Sequence, residues 1–132
     1  MIDNNTKEIH NILEKICGKK IQCVIGEPFT KAFKSFNHLE DDVVIAASYT
    51  CSLFLSAIKN NFPKEKFHTF VHCMQENYGR FSFDCKMYDR IIEKMGDNAI
   101  GKVTLLDEDC NANETRCSRD DITEALDFYT NR

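Results

Sequence analysis

The sequence lacks most of the local features that divide a chain into separate units. It has no Trp, two Pro and five Gly in 132 residues, and no stretch rich in Pro, Gly or Ser. Such stretches mark linkers, so their absence predicts one domain over residues 1–132. No repeat recurs at a solenoid period, which argues against a repeat architecture. We therefore expect a single compact unit.

Features of exported and disulfide-bonded proteins are also absent. The first residues are polar and contain neither the basic nor the apolar segment of a secretory signal, which predicts a cytoplasmic protein. The seven Cys are odd in number and include no C-x-x-C pair. In a reducing compartment such residues remain free thiols. The sequence therefore predicts no disulfide framework.

Signatures of catalytic and nucleotide-binding sites are missing. The chain contains no G-x-G-x-x-G, G-x-x-x-x-G-K-[ST] or G-x-S-x-G motif and no zinc-finger spacing. Its basic residues are scattered and its net charge is -4, so direct binding to nucleic acid is not expected. These absences favour a protein that is not an enzyme and holds no cofactor.

Helical periodicity dominates what is present. Apolar residues recur at three- and four-residue spacing in segments that start near Thr6, Pro28, Asp41, Pro63, Asp84 and Ser118. Thr6 and Ser118 are the predicted N-caps of the first and last helices, with Asp121 in the capping-box position after Ser118. Residues 43–58 contain no charged side chain, so a helix over about 41–59 is apolar on nearly every side and needs other elements around it. Its uncharged run is shorter than the roughly 20 apolar residues that a bilayer requires, so no membrane span is expected. The sequence predicts a mainly α fold, a compact bundle of five or six helices around this central helix.

A minor two-stranded β element is left open. Residues 21–25 are short and β-branched, and Gly26 and Pro28 close the segment, which favours a strand. Residues 102–106 form a second candidate strand that could pair with the first. Residues 107–117 are predicted to be a polar loop.

Acidic residues cluster, which favours a basic protein partner through complementary potential. The candidate partner-binding residues are Asp107, Glu108 and Asp109 first, then Glu40, Asp41 and Asp42. The alternative is that they are solvated surface and helix N-termini. If residues 107–109 bind a partner, reversing their charge should slow association without unfolding the domain.

One helix face carries a candidate metal set, although no metal is predicted. Glu65, His68, His72 and Glu76 are spaced so that they share a face, and zinc accepts such ligands. The same face is where solvated polar residues belong. The sequence also lacks the glutamate that follows the first histidine in H-E-x-x-H.

The cysteines are predicted to be structural. Cys17, Cys23, Cys51 and Cys85 occupy apolar patterns and are expected to act as small hydrophobes. Cys110 and Cys117 lie in a polar stretch and are expected to be exposed thiols, or to pair with each other under oxidation. No cysteine is predicted to be a nucleophile.

These observations together predict a small acidic cytosolic protein-binding module. The specific hypothesis is an immunity- or antitoxin-type inhibitor that neutralises a basic toxin or nuclease by direct binding. One alternative is a metal-binding enzyme or sensor that uses the His68–His72 face. Another is a regulatory subunit or phage-type modifier of a host enzyme. A surplus of Phe, at positions 29, 33, 36, 81 and 83, could form an apolar patch for a dimer or partner, and the oligomeric state stays open.

Overall fold

The computed structural model describes residues 4–36, 39–79, 83–96 and 102–131. Within these ranges it has six helices and two strands. The helices are α1 Asn4–Cys17, α2 Glu27–Phe33, α3 Asp41–Asn60, α4 Lys64–Tyr78, α5 Cys85–Gly96 and α6 Arg119–Thr130, and the strands are β1 Val103–Leu106 and β2 Ala112–Thr115. The predicted helical bundle with a minor β element is confirmed.

Helix α3 is the centre of the fold. Helices α1, α2, α4 and α6 and strand β1 all pack against it, and residues 44–53 are buried without interruption. In the described part of the chain, α3 is also long and apolar enough to cross a membrane, but 67% of that apolar window is buried inside the domain. A helix enclosed in this way is the predicted core helix.

Three buried Ser and Thr hydroxyl groups of α3 are compatible with this core because they bond to their own helix, whereas Ser52 Oγ has no hydrogen-bond partner. Ser48 Oγ donates to Val44 O, and Thr50 Oγ1 donates to Ala46 O, each at 2.8 Å. Ser56 Oγ donates to Ser52 O, also at 2.8 Å. A buried hydroxyl costs free energy unless it is hydrogen-bonded, so these bonds allow polar residues in the core.

Two apolar clusters lie on opposite sides of α3. One is built from α2, α5 and α6 and includes Phe33, Ile91 and Leu126. The other is built from α1 and α4 and includes Leu13 and Phe70. Phe54 packs against both clusters, so α3 links two cores rather than sitting inside one.

Gly26 sets how closely α2 approaches α3. It precedes α2 with φ of 78°, in the left-handed region that favours glycine. A Cβ atom at this position would lie 2.8 Å from the carbonyl oxygen of Ser48. The backbone before α2 therefore rests directly on α3, with no space for a side chain.

The β element differs from the predicted pairing. Strand β1 pairs antiparallel with β2, in the register Leu106↔Ala112, and residues 21–25 do not form a strand. The backbone of Ile21 instead bonds to side chains of α1: its N–H donates to Glu14 Oε2 at 2.8 Å, and His10 Nε2 lies 2.7 Å from its carbonyl oxygen. α1 therefore satisfies both backbone polar groups of Ile21 without a strand partner. The predicted polar loop 107–117 contains β2.

The helix ends test the predicted caps. The prediction of Thr6 as an N-cap is wrong, because α1 already includes Asn4. The prediction for Ser118 is confirmed: its hydroxyl accepts from the N–H of Asp121, whose carboxylate accepts from the N–H of Ser118. Asp121 also accepts a hydrogen bond from Lys59 at 2.9 Å, so this cap ties α6 to the end of α3.

The expected surplus of aromatic side chains is largely absorbed by the core. Phe29, Phe33 and Phe83 are buried, and Phe36 is half-buried beneath the guanidinium of Arg90. Phe81 lies outside the described residues. Among the described large hydrophobic side chains, Ile58 is the exposed one. These positions therefore give no support to an apolar docking patch.

Candidate functional site

The six acidic candidates form two separate patches. Residues 40–42 lie at the N-terminus of α3, whereas residues 107–109 follow β1, whose Leu106 N–H donates to Ser56 Oγ near the other end of α3. Asp41 and Ser56 are about 22 Å apart along the helix axis at 1.5 Å per residue. The patches therefore do not form one continuous surface.

The late patch is the turn of the β hairpin. Asp107 N–H donates to Asn111 O, and Cys110 N–H donates to Asp107 O, each at 3.0 Å. The carboxylate of Asp107 accepts from the N–H groups of Asn111 and Asp109 and from Asn113 Nδ2. The bond from Asn111, followed by those from Asp109 and Asn113, lowers the pKa of Asp107.

Asp107 therefore has a structural role in the turn, while Glu108 and Asp109 are exposed. Reversing the charge at Asp107 would remove three accepted hydrogen bonds and disturb the turn. This corrects the expectation that all three charges can be reversed without consequence for the fold. Only Glu108 and Asp109 are suited to that experiment.

The early patch has the features of a helix N-terminus. Asp41 and Asp42 occupy the first turn of α3, where negative charge is favoured by the helix dipole. Asp42 Oδ1 accepts from the N–H of Val43 at 2.8 Å. Glu40 is the N-cap residue, but its side chain makes no capping hydrogen bond. At least Asp42 is thus explained by local helix stability.

The candidate metal face is solvent-exposed and is not assembled as a site. Glu65, His68, His72 and Glu76 all lie on the exposed side of α4. His72 Nε2 and Glu76 Oε1 are 3.0 Å apart. Within the described ranges, no three His, Cys, Asp or Glu side chains are placed to hold one metal ion.

The cysteines differ from their predicted placement in three cases. Cys110 and Cys117 are buried rather than exposed, and they belong to different apolar clusters, so they do not face each other. Cys23 is exposed rather than packed as a hydrophobe. Burial raises the pKa of Cys117 to about 11 and that of Cys51 further. The side chain of Cys85 lies outside the described residues.

A cleft that the sequence did not suggest lies where α2, α5 and β1 meet. Its volume is about 250 Å³. Its polar lining consists of Lys31 on α2, Lys94 on α5, Lys102 before β1, and the side chains of Glu27 and Thr104. Lys31 and Glu27 form an ion pair at 3.3 Å, so among the lining residues that the structure describes, Lys94 and Lys102 are the charges without a carboxylate partner. The cleft is therefore positively charged in an acidic protein.

The lysines of this cleft come from two separate parts of the sequence: Lys31 lies on α2, whereas Lys94 at the end of α5 and Lys102 before β1 are only eight residues apart. Each stands in an ordinary amphipathic or loop context, with no basic run around it. The scattered basic residues therefore suggested no site for an anion. To find the cleft one must know that α2 packs against α5, and a single sequence does not predict which helices are neighbours.

The chain is similar to a 3-dehydroquinate synthase from Parabacteroides distasonis. The two are 31% identical over 116 residues, an alignment that covers 79% of this chain and 33% of the synthase. The chain thus spans about a third of the length of the curated relative that it matches. No family model matches the chain. No solved structure matches it either.

The arrangement of the cleft is suited to holding a small anion. The ammonium groups of Lys94 and Lys102, which have no carboxylate partner among the described lining residues, and the hydroxyl of Thr104 are donors for carboxylate or phosphate oxygens. The apolar part of the lining includes Val24, Pro28 and Met95, which suits the carbon skeleton of an organic acid.

Proposed function

We propose that this chain is a helical binding domain related to part of 3-dehydroquinate synthase, and that its lysine-lined cleft binds a small anionic ligand. The positive cleft is the observation that carries the proposal. An excess of lysine in the lining of a concave site attracts anions. Here that excess occurs in a protein whose net charge is negative, so the lining differs in sign from the chain as a whole.

The similarity to the synthase supports a particular class of anion. By its name, that enzyme forms 3-dehydroquinate, the carboxylate of a small ring compound. A cleft of about 250 Å³ is of the size that accepts a small organic acid. Because the chain spans a third of the synthase, the proposal concerns binding and not the whole reaction. In our proposal the chain does not catalyse on its own.

Replacing Lys94 with Met is expected to weaken binding of 3-dehydroquinate about threefold to tenfold, because one charged donor is lost at a partly exposed site. The measurement is an NMR titration, in which the amide signals of Thr104 and Lys102 should shift in the unmodified protein. Lys86→Met is the matched control, because Lys86 lies on the same helix and outside the cleft lining. It should leave the affinity unchanged.

Inorganic phosphate serves as a second probe. Binding of both anions in the cleft supports the proposal as stated. Binding of phosphate alone would retain an anion site but contradict the link to the ligand of the synthase. If neither anion shifts the cleft signals at millimolar concentration, or if Lys86→Met weakens binding as much as Lys94→Met, the proposal is wrong.

A second candidate function is the inhibitor predicted from the acidic residues, and the hairpin turn favours it. The turn is fixed by the hydrogen bonds of Asp107, and Lys19 Nζ donates to Asp109 O and to Asn111 Oδ1. Glu108 and Asp109 are thus presented on a rigid surface, which lowers the entropy lost on binding. We propose a basic protein, such as a toxin or nuclease, as the partner of this surface.

Charge reversal at Glu108 and Asp109 together is expected to slow association with such a partner about tenfold at low salt, because electrostatic steering is lost. The partner is first captured from the source cell and identified by mass spectrometry, and the rate is then measured across a salt series. Asp89→Lys with Glu93→Lys is the control, since it makes the same change in net charge on α5. Equal slowing by both variants would exclude the turn from the interface.

A further inference from the structure

Cys17 and Cys110 form a pair of neighbouring thiols between two elements. Cys17 is the last residue of α1, and Cys110 lies in the turn of the hairpin, about 90 residues later in the sequence. The side chain of Cys110 lies near enough to that of Cys17 to raise its pKa. They are 7% and 3% exposed and belong to the same apolar cluster. Of the six cysteines whose side chains the structure describes, these two have been brought together by the fold.

The backbone of Cys110 is in a conformation that a cysteine rarely adopts. Its φ is 64°, in the left-handed region. Residues 108–110 form a three-residue hairpin loop between the paired residues Asp107 and Asn111, and the third position of such a loop is normally glycine. A non-glycine residue in this region costs free energy. The turn thus accepts strain at the residue that places a thiol against Cys17.

Hydrogen bonds on both sides hold the two cysteines in register. Lys19, two residues after Cys17, donates to Asp109 O at 3.2 Å and to Asn111 Oδ1 at 2.6 Å. Lys66 on α4 donates to the carbonyl oxygen of Cys17 at 3.3 Å. The end of α1 and the hairpin turn are therefore tied at the residues next to the thiols, which limits how far the sulfurs can separate.

We propose that Cys17 and Cys110 are a redox-active pair that closes to a disulfide and locks the hairpin turn to α1. The oxidant is a low-molecular-weight disulfide such as oxidised glutathione. One thiol loses its proton and attacks the glutathione disulfide, which releases one glutathione thiol and leaves a mixed disulfide. The second thiol displaces the remaining glutathione. Two protein thiols and one glutathione disulfide thus become one protein disulfide and two glutathione thiols.

Burial, and after it the neighbouring thiol of Cys110, raise the pKa of Cys17 to about 12. Thiolate is the attacking species, so the exchange is slow and depends on transient opening of the turn. The pair accordingly reports sustained rather than brief oxidation. At equilibrium, the fraction of the protein in which the disulfide is closed depends on the stability of the bond and not on the rate of exchange.

The test equilibrates the purified protein in glutathione buffers of increasing oxidation, blocks free thiols by alkylation, and maps the peptides without reduction. A cross-linked peptide that joins Cys17 to Cys110 is expected. The oxidised protein should melt roughly 10 °C higher than the reduced protein, because the bond closes a long loop in the unfolded chain. Both effects should vanish in Cys17→Ser and in Cys110→Gly.

The variants also separate cross-linking from loss of fold. Cys110→Gly relieves the strained backbone but also removes a buried side chain, and because these effects oppose each other its reduced form should be close in stability to the reduced unmodified protein. Cys23→Ser removes an exposed thiol and should retain the cross-link and the rise in melting temperature. Glutathione attached at Cys23 with no peptide joining Cys17 to Cys110 would overturn the proposal. A cross-link between other cysteines, or one without a rise in melting temperature, would also overturn it.

Discussion

Replacing Gly26 with Ala is expected to destabilise the domain by about 3 kcal/mol, through backbone strain and a steric clash that act together. The residue has φ of 78°, where a Cβ atom is disfavoured. The new methyl group would also lie 2.8 Å from Ser48 O, which belongs to the backbone of α3 and cannot rotate away. Either α2 or α3 must move, and the cleft lined by Lys31 moves with them.

Gly18→Ala separates these two contributions. Gly18 has φ of 73°, yet nothing lies within 4 Å of the position that its Cβ would occupy. Gly18→Ala should therefore lower the free energy of unfolding by the backbone strain alone, about 1 kcal/mol. Urea unfolding of both variants measures the difference. Equal losses at the two positions would show that the contact with Ser48 relaxes without cost.

Replacing Ser56 with Ala is expected to cost about 2 kcal/mol, because it leaves a buried backbone donor without an acceptor. Leu106 and Ala112 form a pair that is not hydrogen-bonded across the hairpin, since the neighbouring residues Asp107 and Asn111 carry the cross-strand bond. The N–H of Leu106 therefore points towards α3, where Ser56 Oγ accepts it at 2.9 Å. Leu106 is fully buried, so water cannot replace this bond.

The matched control for this prediction is Ser52→Ala, one turn earlier on α3. Ser52 Oγ is buried and has no hydrogen-bond partner, so its removal should be neutral or stabilising. Thermal unfolding of the two variants gives the comparison. If Ser56→Ala is as mild as Ser52→Ala, the bond to Leu106 contributes nothing to the attachment of the hairpin.

The helical part of the fold could be predicted from the sequence because its signals are local. The uncharged run at 43–58 identified α3, and Ser118 with Asp121 identified the start of α6. The pairing of the strands could not be predicted in the same way. The backbone groups of Ile21, at the start of the segment predicted as a strand, bond to His10 and Glu14 instead, and that contact exists only after α1 has packed.

The candidate sites show the same limit. The acidic residues could be found in the sequence. The role of Asp107 in the turn could not, because it follows from three hydrogen bonds that only the folded structure reveals. The burial of Cys110 could not be predicted from the polar stretch around it. Its polar neighbours in the tight hairpin face outwards, whereas Cys110, whose backbone is in the left-handed region, faces α1. Lys31 is far in the sequence from Lys94 and Lys102, and the three line one cleft only in the folded chain.

The position of α3 between two apolar clusters has a consequence for how this domain tolerates change. Phe70 belongs to one cluster and Leu126 to the other. Substitutions at such separated sites tend to have additive effects on stability. The residues of each cluster can therefore change without matching changes in the other cluster, as long as α3, which both clusters contact, stays in place.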